Sequence, residues 1–196
     1  MSLRWRSCGQ VPHFDGVKCV EHLTFHLADS VPDEMLNRFH EELESVPISK
    51  RATELWSDVQ EWADGSHGCC YFRDPRAALA VQNVLLLCDG ERCLLFAWMI
   101  MPNHVHVFIQ PQGEWTSAKL IADCKEQCLE QLVKVDGLQI DRGACWQEEY
   151  WESFLRDEAQ FKQAVERVHN DPVRAGLVER ACDWPWSSAS LMENAE

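Results

Sequence analysis

MPNHVHVFIQ, Met101 to Gln110, alternates in the manner of a β-strand. Successive strand side chains point to opposite faces, so His104 and His106 project from one side while Val105, Val107 and Ile109 turn toward a core on the other. Two imidazoles whose backbone positions are roughly 7 Å apart can lean onto one divalent metal ion. A His-x-His pair also begins the metal sites of large amidohydrolase barrels, but such a barrel needs roughly 250 residues. This chain has 196, with the pair at mid-chain. Tyrosine is scarce, with Tyr71 and Tyr150 set against nine tryptophans, so chemistry by a phenol has two candidates.

The segments on either side extend the pattern. RCLLFAWMIM, Arg92 to Met101, is apolar on both alternating faces, as expected of a central strand. Pro102-Asn103 can turn the chain, making Arg92–Gln110 an antiparallel pair, or kink it, making one broken strand. CVEHLTFHLA, Cys19 to Ala28, reads as a first strand closed by Asp29, Ser30 and Pro32. Helical spacing of Met35, Leu36, Phe39 and Leu43 predicts a helix from Asp33 to about Ser45. Leu55, Trp56, Val59 and Trp62 predict another over Ala52 to Trp62. Pro75 opens a helix to Cys88 that stops at Gly90. Thr116 or Ser117 caps a long helix to about Val133, with Leu120, Ile121, Cys124, Cys128, Leu129 and Leu132 as its buried stripe. Asp157 caps a helix over Glu158–His169, and DWPWSS, Asp183 to Ser188, reads as a terminal aromatic clamp. This order suits an α+β fold, an antiparallel sheet packed on one side by helices. We expect one domain over 1–196, with a helical insertion at 33–64 and a C-terminal tail at 179–196.

Hydrophobic residues make up 46% and charged residues 26%, ordinary for a globular chain. No apolar run approaches the ~20 residues of a membrane helix, and MSLRWRSCGQVPHFDG at the N-terminus lacks a signal-peptide core; the expected location is the cytoplasm, away from membranes. The ten cysteines include no Cys-x-x-Cys pair and several have apolar neighbours, which points to reduced, buried thiols. The net charge of −14 and pI of 4.9 oppose nucleic-acid binding by the chain as a whole. Net charge does not set local potential, however, and Arg156, Lys162, Arg167, Arg174 and Arg180 fall in the last third, after Tyr150.

AWMIMPNHVHVFIQ resembles the most recognisable motif of the REP-associated tyrosine transposases, a branch of the single-tyrosine HUH transposases in which U is a bulky hydrophobic residue, here Val105. HFDGVKCVEHLTFHLADSVP (His13 to Pro32) is similar to the family's first-strand region, GACWQEEYWESFLRDE (Gly143 to Glu158) to its tyrosine segment, and VHNDPVRAGLVERACDWPWSSA (Val168 to Ala189) to its C-terminal block, in the family's order. The resemblance implies a ferredoxin-like antiparallel sheet packed by helices, the HUH endonuclease fold, with extra helices here. It also implies a divalent metal, Mg²⁺ or Mn²⁺, on His104 and His106, and a tyrosine that attacks single-stranded DNA folded as a hairpin. Four residues after Trp146, Tyr150 matches the family nucleophile, whereas Tyr71 matches no such position and is expected to be structural.

A tyrosine hydroxyl has a pKa near 10 and is a weak nucleophile at neutral pH, so a metal that draws charge from phosphorus suits it. A phosphotyrosine link conserves the phosphodiester energy for rejoining, which a hydrolase would lose. Two imidazoles leave the metal's shell incomplete. On a helix the residue four after Tyr150 would face it, but that is Phe154, which cannot ligate; Gln147, Glu149, Glu152 and Ser153 stay open as alternatives. Asp171 stands where the family commonly has asparagine. Lys125 sits at a family lysine and, with Lys119, Arg156 and Arg174, is a candidate phosphate contact. Trp184 and Trp186 could stack on bases or pack on the sheet. Two further readings are carried: a domesticated hairpin-binding protein that does not cut, and a phosphoesterase that uses water. A homodimer is left open.

Overall fold

The computed structural model describes residues 19–191. The N-terminal stretch ending at Gly16, Cys8, the first six residues of the His13–Pro32 block and the last five of the 179–196 tail lie outside the described residues. Strands β1 (Val20–His26), β2 (Cys93–Ile100), β3 (His104–Pro111) and β4 (Trp151–Leu155) form one antiparallel sheet in the order β2-β3-β1-β4. Around it lie helices α1 (Asp33–Glu42), α2 (Ile48–Asp64), α3 (Pro75–Cys88), α4 (Ser117–Leu132), α5 (Glu158–His169) and the single turn α6 (Asp171–Arg174). The fold is α+β, as the alternating and helical periods predict.

Local sequence explains most boundaries. The Asp74 carboxylate accepts from Arg76 N ahead of Pro75, the Thr116 hydroxyl from Lys119 N, and Asp157 from Gln160 N, each filling an otherwise unpaired helix donor. Pro102 and Asn103 turn β2 into β3. A bulge between Leu95 and Ala97 shifts the register, so Leu95 joins one face of β2 and Ala97 the other.

The two faces of the sheet carry different cores. Leu23, Phe25, Val105, Val107 and Ile109 face a cluster built with α3 and α4, the orientation expected for the three β3 residues. The opposite face is covered too. Phe108, Met99 and Val20 pack with Val165 and Val168 of α5, and Trp151 lies against the small cluster of Val31, Phe39, Val59 and Ala63 that α1, α2 and the loop before α1 supply. Helices on one side only is therefore incorrect: the segments at 33–64 and beyond 157 have enough apolar surface to roof the second face. The residues after Tyr150 form β4, so the helical spacing that would set Phe154 beside Tyr150 does not apply; WESFL pairs along the open edge of β1, Trp151 opposite Thr24 and Leu155 opposite Val20.

The C-terminal region clamps β2. Trp184 Nε1 donates to Ile100 O at 2.9 Å, and Ser188 Oγ accepts from Trp98 N at 3.1 Å and donates to Trp98 O at 3.2 Å. His169 Nε2 is 2.8 Å from the same hydroxyl, and burial lowers the pKa of that imidazole from the ordinary 6.5 to about 4. Below pH 6.5 the unfolded chain takes up a proton that the folded chain refuses until about pH 4. The stability is thus complete above pH 6.5 and falls as the pH drops through that window. We expect His169→Gln to lower the pH slope of the unfolding free energy between pH 6.5 and 4.5 by up to one proton, measured by urea titrations at several pH values. An unchanged slope removes His169 from the linkage.

Candidate functional site

The β1–β3 register aligns the polar side chains of the second face. His26 lies opposite His104, Thr24 opposite His106, and His22 opposite Phe108. Residues directly opposite share a face, so HLTFH contributes His22, Thr24 and His26 beside the HVH pair. All four imidazoles are buried, His104 at 0% and His106 at 1% exposure. His26 stacks on His104 with centroids 5.2 Å apart, His22 on Phe108 at 4.3 Å, and the His104 and His106 rings meet edge-on at 4.9 Å.

Hydrogen bonds fix His106. Its Nε2 accepts from Gln60 Nε2 of α2 at 3.2 Å, which leaves the ring proton on Nδ1, 2.8 Å from Thr24 Oγ1 and 3.0 Å from His22 Nε2. His104 Nδ1 is held by Asn103 Oδ1 at 2.8 Å. Two carboxyls approach from the roof: Asp64 Oδ1 lies 3.7 Å from His104 Nε2 and Asp171 Oδ2 3.4 Å from His106 Nε2. Arg174 ties them together, reaching Asp64 at 3.2 Å and Asp171 more closely.

Burial dominates the electrostatics. It lowers the pKa of His22 to about 3 and of His26 to about 4, and takes His104 and His106 well below the ordinary value, so the rings are neutral. Burial raises Asp64 to about 6, against the pull of Arg174, and burial together with Asp64 raises Asp171 to about 7.

Neutral imidazoles are the form that binds metal. His104 Nε2 and Asp64 Oδ1 are buried without hydrogen-bond partners, as are both nitrogens of His26 and Gln60 Oε1. The donor chemistry therefore fits a divalent cation. Among the described residues, however, no three His, Cys, Asp or Glu side chains converge closely enough to hold one in this arrangement. His104 and His106 form half a site under α2.

Tyr150 lies elsewhere. Trp151 shares the face of Thr24 and His106, so Tyr150, one residue earlier, packs toward the α3–α4 core on the other face. It lines a cleft of about 550 Å³ with Glu21, Trp115, Ser117, Glu152 and Phe154. Phe154, at 54% exposure, shares this cleft because a strand repeats every two residues. Burial, then Glu152, Glu21 and Glu149, raise the Tyr150 pKa, so the phenol is protonated at neutral pH. The segment before it is held firmly. Gln147 N donates to His26 O at 3.0 Å, Trp146 Nε1 to Lys125 O at 3.0 Å, and Lys125 Nζ to the carbonyls of Gln147, Glu148 and Glu149 at 2.7, 3.0 and 3.5 Å. The structure thus gathers His104 and His106 and leaves Tyr150 across the sheet from them.

The candidate phosphate contacts are dispersed. Lys125 caps the tyrosine segment and Arg174 bridges two carboxyls, while Lys119 on α4 is exposed and reaches Glu114 O at 3.4 Å. Arg156 is exposed at the end of β4. Lys162 pairs with Glu158 and Arg180 with Asp183. Tyr71 packs on the core and donates to Gln139 O at 3.1 Å. His22, His26, Gln60 and Asp64 were not singled out from the sequence. Only the histidines carried a readable signal, the period-two spacing of His22, Thr24 and His26.

No family model matches the chain. It is 31% identical over 96 residues to a protein of Haemophilus influenzae and 27% identical over 93 residues to one of Escherichia coli K12, both named as REP-associated tyrosine transposases. These alignments cover 45% and 47% of this chain, which spans about half the length of the relatives it matches, 54% and 52%. A solved structure described as a REP-associated tyrosine transposase bound to a REP hairpin superposes with a TM-score of 0.51 at 16% identity, covering 90% of this chain and 80% of that one.

Removing Arg174 would leave Asp64 and Asp171 facing each other without the guanidinium that pairs with both, the weaker pull of Arg167 remaining. We expect Arg174→Met to destabilise the fold by about 1–3 kcal/mol, discounted because the arginine is half exposed, measured by urea denaturation at neutral pH. A change near zero would show that Arg174 does not hold the roof. Over about half its length in sequence, and across most of its fold, the chain is similar to proteins named as REP-associated tyrosine transposases.

Proposed function

We propose that this protein nicks and rejoins single-stranded DNA at hairpin-forming repeats, as a transposase of the REP-associated tyrosine type. The observation that carries this reading is Tyr150: it follows Trp146 at the family spacing, and backbone and lysine contacts hold its segment against the end of β1. The Tyr150 oxygen would attack the scissile phosphorus, forming a phosphotyrosine bond on the 5′ side and releasing a 3′-hydroxyl. The reverse attack by a 3′-hydroxyl rejoins strands without another energy source. The phenol must lose its proton, and Glu21 and Glu152 line the same cleft as acceptors. His104 and His106 would hold Mg²⁺ or Mn²⁺, whose chemistry when bound is to stabilise charge on the phosphate oxygens. Lys119 and Arg156, both exposed, would meet the DNA backbone. In this reading the protein works in the cytoplasm as one unit, with 33–64 as an insertion. Among the described residues no helix is long and apolar enough to cross a membrane.

Incubating the protein with a labelled hairpin oligonucleotide and Mg²⁺ or Mn²⁺ should give a covalent adduct that resists denaturant. Tyr150→Phe should abolish the adduct and leave hairpin binding within about twofold. An adduct that persists in that variant would take the nucleophile away from Tyr150.

A second reading, hairpin binding without cleavage, is favoured by the roof of α2 over the histidines and by the sheet that separates them from Tyr150. For the cleaving reading, attack needs either displacement of the 147–150 segment or the tyrosine of a second copy in a homodimer. Metal affinity separates the two functions. Calorimetric titration with Mn²⁺ should show binding that His104→Ala weakens by about tenfold or more. Affinity that is absent, or indifferent to His104, supports the non-cleaving protein. Mixing Tyr150→Phe with His104→Ala chains should restore the adduct only where two copies share a site.

A further inference from the structure

On the face of the sheet away from the histidines, four of the free, buried cysteines gather where α3 meets α4 and β2: Cys88, Cys93, Cys124 and Cys128. Two of them touch. Cys88 Sγ, at the last residue of α3, lies 3.7 Å from Cys124 Sγ in the second turn of α4. A guanidinium attends the pair: Arg92 Nη1 is 3.9 Å from Cys88 Sγ, and the same arginine pairs with Asp123 and lies over the Trp115 ring. A cavity of about 20 Å³ adjoins both sulfurs, lined also by Phe25, Cys93 and Ile121. It can admit one water-sized molecule and leaves the side chains room to turn.

We propose that Cys88 and Cys124 are a peroxide-reactive dithiol that closes into a disulfide joining α3 to α4. Bond formation requires the sulfurs to approach from 3.7 Å to about 2.05 Å. Cys88 is the attacking sulfur. The Cys124 thiol hydrogen-bonded to it lowers its pKa against the opposing effect of burial, and Arg92 adds to the lowering, while the Cys124 pKa is raised. The Cys88 thiolate attacks one oxygen of hydrogen peroxide. An S–O bond forms, the O–O bond breaks, and the departing hydroxide takes up the thiol's proton as water. Cys124 sulfur then attacks Cys88 sulfur, forming S–S, breaking S–O and releasing a second water with the Cys124 proton. Two thiols lose two electrons and the peroxide gains them; a small dithiol reverses the change by exchange.

The position gives the bond a consequence. Cys124 precedes Lys125, whose ammonium holds the Gln147, Glu148 and Glu149 carbonyls ahead of Tyr150. A disulfide pins this turn of α4 to the end of α3. Neither the chemistry nor its test depends on DNA cleavage.

The full chain is treated with hydrogen peroxide, its remaining thiols are blocked under denaturing conditions, and the digest is mapped by mass spectrometry. The expected result is a Cys88–Cys124 linked peptide, lighter by two hydrogens than the two free thiol peptides together, as the major crosslink. It should vanish on reduction, and Cys88→Ala and Cys124→Ala should each abolish it. The unmutated protein carries the decisive measurement, so a variant that fails to fold does not blunt the test. Oxidation confined to other thiols such as the exposed Cys69, or Cys88 over-oxidised with Cys124 still free, overturns the proposal.

Discussion

The antiparallel pairing of β1 with β3 is the constraint on which the rest of the molecule depends. Glu21–His26 against His104–Ile109 places Leu23, Phe25, Val105 and Val107 on one face and His22, Thr24, His26, His104 and His106 on the other. The aliphatic face needs a cover to leave water, and α3 and α4 supply it. The imidazole face needs a cover that can also satisfy polar atoms, because an unpaired polar group in the interior is costly. Gln60 and Asp64 of α2 and Asp171 of α6 meet that need in part, and the orphaned nitrogens of His26 and His104 mark where it is unmet.

That cover changes what the histidine pair is in this molecule. On an open sheet face the pair would be a ready anchor for a cation. Under α2 the rings are neutral, in mutual contact and partly hydrogen-bonded, and two carboxyls with raised pKa values share one arginine above them. The strongly acidic chain also uses its cations internally. Arg174 and Lys125, both plausible DNA contacts by position, are occupied by carboxyl and carbonyl oxygens. A net charge of −14 therefore coexists with exposed basic groups at only some of the expected places, Lys119 and Arg156 among them.

The tyrosine segment shows how an edge strand is positioned from outside. Trp146 pairs with Leu27, Gln147 donates to His26 O, and Lys125 gathers three successive carbonyls, so Tyr150 enters β4 with its side chain committed to the α4 side of the sheet. The motif spacing between Trp146 and Tyr150 is thus the length of chain that spans from the anchor on α4 to the first pair of β4.

The elements were largely legible from the chain itself. Capping residues such as Thr116 and Asp157, the Pro102-Asn103 turn, and the two-residue alternation of MPNHVHVFIQ act through near neighbours, so boundaries such as Glu158–His169 could be read directly. The co-facing of His104 and His106 follows from the same period. What covers each face, and which side Tyr150 takes, depended on tertiary structure. WESFL has no clean alternation of its own, and its register comes from the free edge of β1. Gln60 and Asp64 meet His106 and His104 from forty or more residues away, through an apolar packing of α1 and α2 that no local pattern encodes. Short-range sterics and hydrogen bonds write secondary structure into adjacent residues, whereas burial is shared among distant ones and is settled only when the whole sheet has been roofed.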